Sequence, residues 1–278
     1  MTSLSNSMTL FKASLNVLRQ DKELIIYPIL SSISMVLVVA SFVLPVALTG
    51  SWTVFEEGGA SSYLGYVVGF LFYLVQYTVI FFFNTALVGA AMVRLNGGDP
   101  TIATGLNIAI KRLPTILGYA AISATVGMIL RAISERSGII GKIIVGFIGV
   151  GWSLATYLAV PVLVTKDLGA VDTVKESASL FRRTWGEQVV ANFGFGWVGI
   201  LATLAWSVVW ILPVIVLQAA GPAVIIPLVA IGLMGYLLLG LVLSALKGIY
   251  TAALYQHATE GSNDFFDGQM MGSAFRQK

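Results

Sequence analysis

The 278-residue chain contains no cysteine and only one histidine. Disulfides, thiolate catalysis and cysteine-held metal or iron–sulfur centres are therefore excluded. A single histidine also leaves no set of histidines within the chain that could hold a metal. The sequence predicts neither a metal nor another cofactor.

Charge is equally scarce. Asp, Glu, Lys and Arg make up 10% of the residues, whereas 57% are hydrophobic and the mean hydropathy is +0.89. A soluble domain carries charge on about 25% of its residues to solvate its surface, so an ordinary soluble domain is excluded and a lipid bilayer is indicated. The net charge of +3 does not indicate nucleic acid, because the basic residues lie between apolar blocks and alternate with acidic ones.

Long segments without Asp, Glu, Lys or Arg separate the charged residues. The longest, 188–246, contains a Gly221-Pro222 pair that favours a return turn. A bilayer core needs about 20 apolar residues per helix. The sequence therefore predicts an all-α integral membrane protein with six transmembrane helices, at 24–48, 63–91, 114–130, 143–164, 189–217 and 224–246.

The orientation follows from Lys and Arg, which favour the cytoplasmic ends of membrane helices. With a cytoplasmic N-terminus, most of the 16 basic residues fall inside, and the exceptions are Arg131, Arg136 and Lys142. A rival topology makes 114–130 a re-entrant segment, but it moves the basic residues of 166–183 outside. The first apolar block is preceded by about 20 mixed residues and is expected to stay as an anchor. We expect a multi-pass protein of the inner or plasma membrane with both termini in the cytoplasm.

Three polar stretches show helical spacing of apolar residues and end in basic ones. They predict about three interfacial amphipathic helices on the cytoplasmic side. The chain then divides into one polytopic domain, 1–257, with possible units at about 1–94, 95–165 and 166–257, and a short polar tail, 258–278. The apolar stripes are Leu4, Met8, Phe11, Leu15 and Leu18; Ile102, Leu106 and Ile110; and Val171, Val174, Ala178 and Phe181.

Basic residues on and beside these helices are candidates for binding anionic lipid headgroups, since each contributes about 1 kcal/mol near such a surface. The alternative is that they only fix the helices and the orientation. The candidates are Lys12, Arg19, Lys22, Lys111, Arg112, Lys175, Arg182 and Arg183.

Polar residues inside the predicted spans are few. Gln76 and Asn84 are eight positions apart and face broadly the same side of the second span, where they line a transport path or make interhelical hydrogen bonds. Gly194, Gly196 and Gly199 match the dinucleotide-binding fingerprint in letters only, because no strand precedes them. Close helix packing is the better interpretation for them, and also for Gly146, Gly149, Gly151, Gly232, Gly235 and Gly240.

Two acidic residues, Asp99 and Glu187, are expected at the membrane interface. A membrane enzyme acting on lipid headgroups could use one of them, but a lone carboxylate without a base or metal partner is not a mechanism. His257 lies beyond the last predicted span and has no catalytic partner at a recognisable spacing.

Several stretches together resemble an uncharacterised family of prokaryotic multi-pass membrane proteins, a domain of unknown function. The resemblance covers nearly the whole chain, implies the membrane fold and no activity, and draws attention to Asn84, Asp99, Trp185 and Glu187. The stretches are Leu18-Arg19-Gln20-Asp21-Lys22-Glu23-Leu24 running into Pro28, Phe83-Asn84-Thr85-Ala86-Leu87, Arg94-Leu95-Asn96-Gly97-Gly98-Asp99-Pro100, Ser123-Ala124-Thr125-Val126-Gly127, Gly151-Trp152-Ser153-Leu154-Ala155-Thr156, Arg183-Thr184-Trp185-Gly186-Glu187 and Ala274-Phe275-Arg276.

The functional expectation rests on these patterns. We expect a non-enzymatic scaffold or accessory subunit that contacts membrane lipids, chiefly anionic ones, and assembles with itself or with a membrane-protein partner, without nucleic acid. The alternative is a transporter or channel for an uncharged or lipid-like solute, with Gln76 and Asn84 in its path.

Overall fold

A computed structural model describes residues 3–50, 60–185 and 194–259. This part of the chain contains ten α-helices and no strand, which confirms the all-α class for these residues. Glu187 and the tail beyond Thr259 lie outside the described residues. The helices are α1 (Ser3–Gln20), α2 (Ile26–Thr49), α3 (Ala60–Leu95), α4 (Ile102–Lys111), α5 (Leu113–Arg136), α6 (Ile139–Ala155), α7 (Ala159–Thr165), α8 (Ala170–Trp185), α9 (Gly194–Val216) and α10 (Pro222–Thr259).

Six helical segments within the described ranges are long and apolar enough to cross a membrane. Each overlaps one of the six predicted spans, and residues 189–193 of the predicted fifth span lie outside the described residues. The last helix runs well beyond the predicted end at residue 246, and its extension buries the residues from Ile249 to Gln256. The segments are Lys22–Thr49, Tyr63–Leu95, Leu113–Arg136, Ile139–Thr165, Val198–Val216 and Pro222–Thr259.

The fourth of these segments is interrupted between α6 and α7. Pro161 has no N–H to donate to the Tyr157 carbonyl four residues earlier, and its ring crowds that carbonyl. The interruption leaves the Leu158 N–H without a helical partner, and the buried Ser177 hydroxyl of α8 accepts this N–H at 3.0 Å. The Ser177 hydroxyl of α8 therefore replaces the helical hydrogen bond that Leu158 lacks between α6 and α7.

The chain divides into two compact units. Unit 1 combines the chain before Ile26, the segment Ala91–Asp99 and the chain after Thr184. Unit 2 consists of Ile26–Ala90 and Pro100–Thr184.

In unit 1, α1 packs against α9 and α10, which also pack against each other. A Cβ at Gly235 would overlap the Trp206 ring, and one at Gly232 would overlap Trp210. The Trp206 indole N–H donates to the Gly232 carbonyl at 3.0 Å. The predicted close packing at Gly232 and Gly235 is confirmed, because only glycine leaves room for the indole rings.

The same prediction is wrong for several other glycines. Gly146, Gly149, Gly151 and Gly240 have no atom of the described chain within 4 Å of a Cβ position. Their small size therefore serves no close contact among the residues that the structure describes.

In unit 2, α4 lies against α2 and α3. The Tyr27 hydroxyl donates to the carbonyls of Thr101 and Ile102 at 3.3 and 3.2 Å. Gly105 lies so close to Tyr27 and to the Ala86 carbonyl that a Cβ would overlap both. This contact anchors the start of α4 to the hairpin that precedes it in the chain.

We predict that Gly235→Ala destabilises the protein by about 1–3 kcal/mol, because a methyl group overpacks against Trp206. Gly240→Ala is the matched control on the same helix. It meets open space and exchanges glycine for a better helix former, which favours the fold by up to about 1 kcal/mol. Thermal unfolding in detergent, followed by tryptophan fluorescence, compares the two. Equal melting temperatures would show that the Gly235 contact does not limit stability.

Candidate functional site

The three short helices each bury a stripe that contains small or hydroxyl-bearing residues, and on α1 and α8 bulky apolar residues are buried as well. The buried bulky residues are Leu10, Val17, Leu18, Leu180 and Phe181. On α8 this stripe contains Thr173 and Ser177, both fully buried, and Val171 of the predicted apolar stripe is 55% exposed. The Thr173 hydroxyl donates to the Gly169 carbonyl at 2.9 Å. Buried hydroxyls are tolerated here because each has a backbone partner.

The other two short helices show the same arrangement. On α1, Ser14 is buried while Met8 is 44% exposed, and on α4, Gly105 and Ala109 are buried while Ile110 is 56% exposed. Small residues let these helices approach the long ones closely. Of the predicted bulky stripes, Met8, Ile110 and Val171 are exposed. Leu18 and Phe181 are buried, and the remaining described members are half-buried.

The basic candidates lie beside the bulky stripes. At 100° per residue, Lys12 and Arg19 border the stripe of α1 on the side away from its buried face, and Lys175 and Arg182 do the same on α8. Seven of the eight candidates are exposed. Arg112, the half-buried eighth, pairs with Asp167 at 2.5 Å, and Lys175 pairs with Asp172 at 3.2 Å. The exposed ones are Lys12, Arg19, Lys22, Lys111, Lys175, Arg182 and Arg183.

An ion network occupies the end of α3 in unit 1. The Arg94 guanidinium contacts the Asp21 carboxylate at 3.4 Å and also pairs with Asp99. The Asp21 side chain is 4% exposed, whereas that of Asp99 is 92% exposed. Burial raises the pKa of Asp21 above its ordinary 3.8, and the neighbouring Arg94 opposes this rise. One guanidinium thus joins a buried carboxylate to a solvated one.

The turn after α3 lies between Arg94 and Asp99 and has a defined backbone conformation. Gly97 has a φ of +79°, and its N–H donates to the Arg94 carbonyl while the Gly98 N–H donates to Val93. This pair of bonds is a Schellman cap, which requires a left-handed residue at the position of Gly97. The Gln256 amide of α10 donates to the Asn96 side chain at 2.7 Å, so the turn is also held from a third piece of the chain.

Asp99 is the one acidic candidate that the structure describes. It is exposed and forms an ion pair with Arg94. Among the described residues, no group of three or more His, Asp or Glu side chains could hold a metal ion. This is the geometry of a surface ion pair.

Unit 2 contains a group of hydroxyls between long helices that the sequence reading missed. The Arg131 guanidinium donates to the Tyr73 hydroxyl at 2.8 Å, and the Tyr119 hydroxyl lies beside those of Ser123 and Thr156. The group, called here the hydroxyl file, consists of Tyr73, Tyr77, Tyr119, Ser123 and Thr156. Two series at i, i+4 spacing could have revealed it, namely Tyr73-Tyr77 on α3 and Tyr119-Ser123-Gly127-Arg131 on α5.

Gln76 and Asn84 are both half-buried on α3. Asn84 follows Tyr77 by seven residues and therefore shares the face of the hydroxyl file, whereas Gln76 lies toward one side of it. Within the described residues, the chain supplies neither amide with an interhelical hydrogen bond.

The model of a family described as a family of unknown function, DUF6159, matches residues 63–265, which is more than half of the chain. No curated protein and no solved structure matches the chain.

We predict that Arg94→Met strongly destabilises unit 1, because it leaves the Asp21 carboxylate buried without its cation. Breaking a buried ion pair from one side costs about 3–5 kcal/mol. Asp99→Asn is the matched control, since it removes the exposed partner of the same guanidinium and should cost less than about 1 kcal/mol. The melting temperatures of the two variants in detergent are compared, and an equal loss in both would contradict the prediction.

Proposed function

The chain belongs to DUF6159, a family of unknown function, and we propose that it is a non-enzymatic membrane scaffold or accessory subunit that binds anionic lipid through its short amphipathic helices. The observation that carries the proposal is the two-sidedness of α1 and α8. Each buries one face against the protein, and on the opposite side an exposed apolar residue, Met8 or Val171, lies beside exposed basic residues.

This arrangement fits the boundary between acyl chains and headgroups. An apolar stripe enters the outer part of the acyl region while neighbouring Lys and Arg contact the phosphates. On α8 the exposed Val171 lies next to Lys175 and Arg182 around the helix. The exposed Met8, Ile110 and Val171 make no packing contribution to the bundle and are free to enter the acyl region.

The proposal is non-enzymatic because the acidic candidate that is described, Asp99, is engaged with Arg94 at the surface. Assembly with another copy or a partner is part of the proposal. The support comes from α6, which has no buried residue and exposes Ile140, Phe147 and further apolar side chains.

Transport of an uncharged solute is the second candidate function. The hydroxyl file of unit 2 favours it, because it places polar groups on the facing sides of two helices that are otherwise apolar.

We place α1, α4 and α8 on the cytoplasmic side of a cell membrane, with both termini inside, as the positive-inside bias favours. The absence of native cysteine makes single-cysteine labelling direct. A membrane-impermeant maleimide should label Lys142→Cys in intact cells and Lys111→Cys only after the membrane is opened; both positions are exposed. The reverse pattern would contradict this orientation.

We predict that the double variant Lys175→Gln, Arg182→Gln retains several-fold less anionic lipid than the wild type, at about 1 kcal/mol per basic residue. Native mass spectrometry after extraction from bilayers of phosphatidylglycerol and phosphatidylcholine measures the bound lipids and the oligomer mass together. Lys142→Gln, an exposed lysine at the start of α6, is the control and should retain lipid normally. Equal retention in all three proteins would contradict the lipid proposal, and a monomer mass would contradict assembly.

A further inference from the structure

The hydroxyl file runs along the contact between α3 and α5. Tyr73 meets Arg131, and the Tyr77 hydroxyl lies 3.4 Å from the Cβ position of Gly127. One turn further, the Phe81 ring stacks on Tyr119 with centroids 4.3 Å apart. The residue numbers rise on one helix while they fall on the other, so the two helices are antiparallel here and the polar groups form a line along both.

Thr85 continues the i, i+4 series of Tyr73, Tyr77 and Phe81 on α3, and its Oγ1 is buried without a hydrogen bond to the described chain. Ser123 Oγ is also buried, makes no bond to its own helix, and lies beside the Tyr119 hydroxyl. Elsewhere in the same helices the hydroxyls bond to the carbonyl four residues back, as Thr78 does at 2.7 Å and Thr125 at 2.8 Å. Leaving a buried hydroxyl unpaired costs about 1–3 kcal/mol. A buried hydroxyl that does not bond to the carbonyl four residues back indicates another hydrogen-bond partner. Ordered water supplies such partners in protein interiors.

The chemistry of the line restricts what it can bind. Hydroxyls both donate and accept, and an un-ionised phenol carries no charge. The charged group on the file is Arg131, at its exposed end, where it also pairs with Glu135 at 2.7 Å. Deeper along the line there is no counter-ion among Tyr77, Tyr119 and Ser123, so a charged solute would be poorly stabilised.

We propose that the hydroxyl file is a hydrated path for small neutral hydrogen-bonding solutes, water or a short polyol, and that solutes enter it from the Arg131 end. Water or solute hydroxyls occupy the free bonding positions of Thr85 and Ser123, and the side-chain amide of Asn84 extends the same face of α3. The inference rests on the second candidate function, transport of an uncharged solute, and names its solute class. It is independent of the lipid-scaffold proposal, because it uses none of the residues of the short helices.

The first test uses the wild-type protein in native-lipid discs. X-ray radiolytic footprinting labels buried side chains that lie next to bound water, and mass spectrometry reads the rate at each tyrosine. Tyr27 is the internal control, because it is as deeply buried as Tyr119 but donates to two backbone carbonyls. We expect faster labelling at Tyr119 than at Tyr27. Equal rates would overturn the proposal without reference to any variant.

The second test measures permeability by stopped-flow light scattering of proteoliposomes under osmotic gradients of sucrose and of glycerol. We expect water permeability above that of empty liposomes, and a loss of that increment in Ser123→Ala and Tyr119→Phe. Thr125→Ala is the matched control on α5, because its exposed hydroxyl bonds to its own helix. A rise for water alone supports a water path, and a rise for glycerol as well supports a polyol path. Permeability equal to that of empty liposomes, or undiminished in both file variants, would overturn the proposal.

Discussion

Close approach between helices is the constraint on which the rest of this structure depends. Lipid is as apolar as leucine, so burying a large apolar side chain between membrane helices gains little, and contact depends on packing at short range. The contacts accordingly form at small residues. Gly235 and Gly232 receive the indole rings of α9, Gly105 receives Tyr27, and Ser177 lies against the break before α7. Many other bulky apolar residues, such as Phe147 and Leu204, lie exposed on the outer faces of the helices.

Within that framework, specific polar bonds fix the places where chain segments meet. In unit 1, Arg94 and Asp21 are 73 residues apart, and Gln256 reaches Asn96 across 160 residues. Both bonds converge on the turn after α3, whose Schellman cap sets its shape. Burying the Asp21 carboxylate costs desolvation free energy, as its raised pKa shows. The burial is tolerated because the Arg94 guanidinium lies beside the carboxylate.

The two proposals concern different parts of the protein, the outer faces of the short helices and the contact between α3 and α5. Because α1, α4 and α8 dock through one face only, the exposed Met8, Ile110 and Val171 and the neighbouring basic residues remain available for lipid. Because α3 and α5 meet along tyrosines, a serine and a glycine rather than leucines, their contact contains polar groups that the backbone does not fully satisfy. The first arrangement suits attachment at a membrane surface, and the second suits passage of a neutral solute.

The sequence alone determined the helical class, the six apolar segments and the amphipathic character of the three short helices, because bilayer thickness and helical periodicity are properties of a single segment. The resemblance to an uncharacterised family is likewise confirmed by the match over residues 63–265. Which glycines pack was not predictable in the same way, since Gly146 and Gly235 have similar surroundings in sequence but only one faces a tryptophan. The Asp21–Arg94 pair, the meeting of Tyr73 with Arg131 and the buried stripe of Ser14, Gly105 and Ser177 were decided by the tertiary structure. Each depends on the rotation of one helix against another, and a single helix does not determine that rotation.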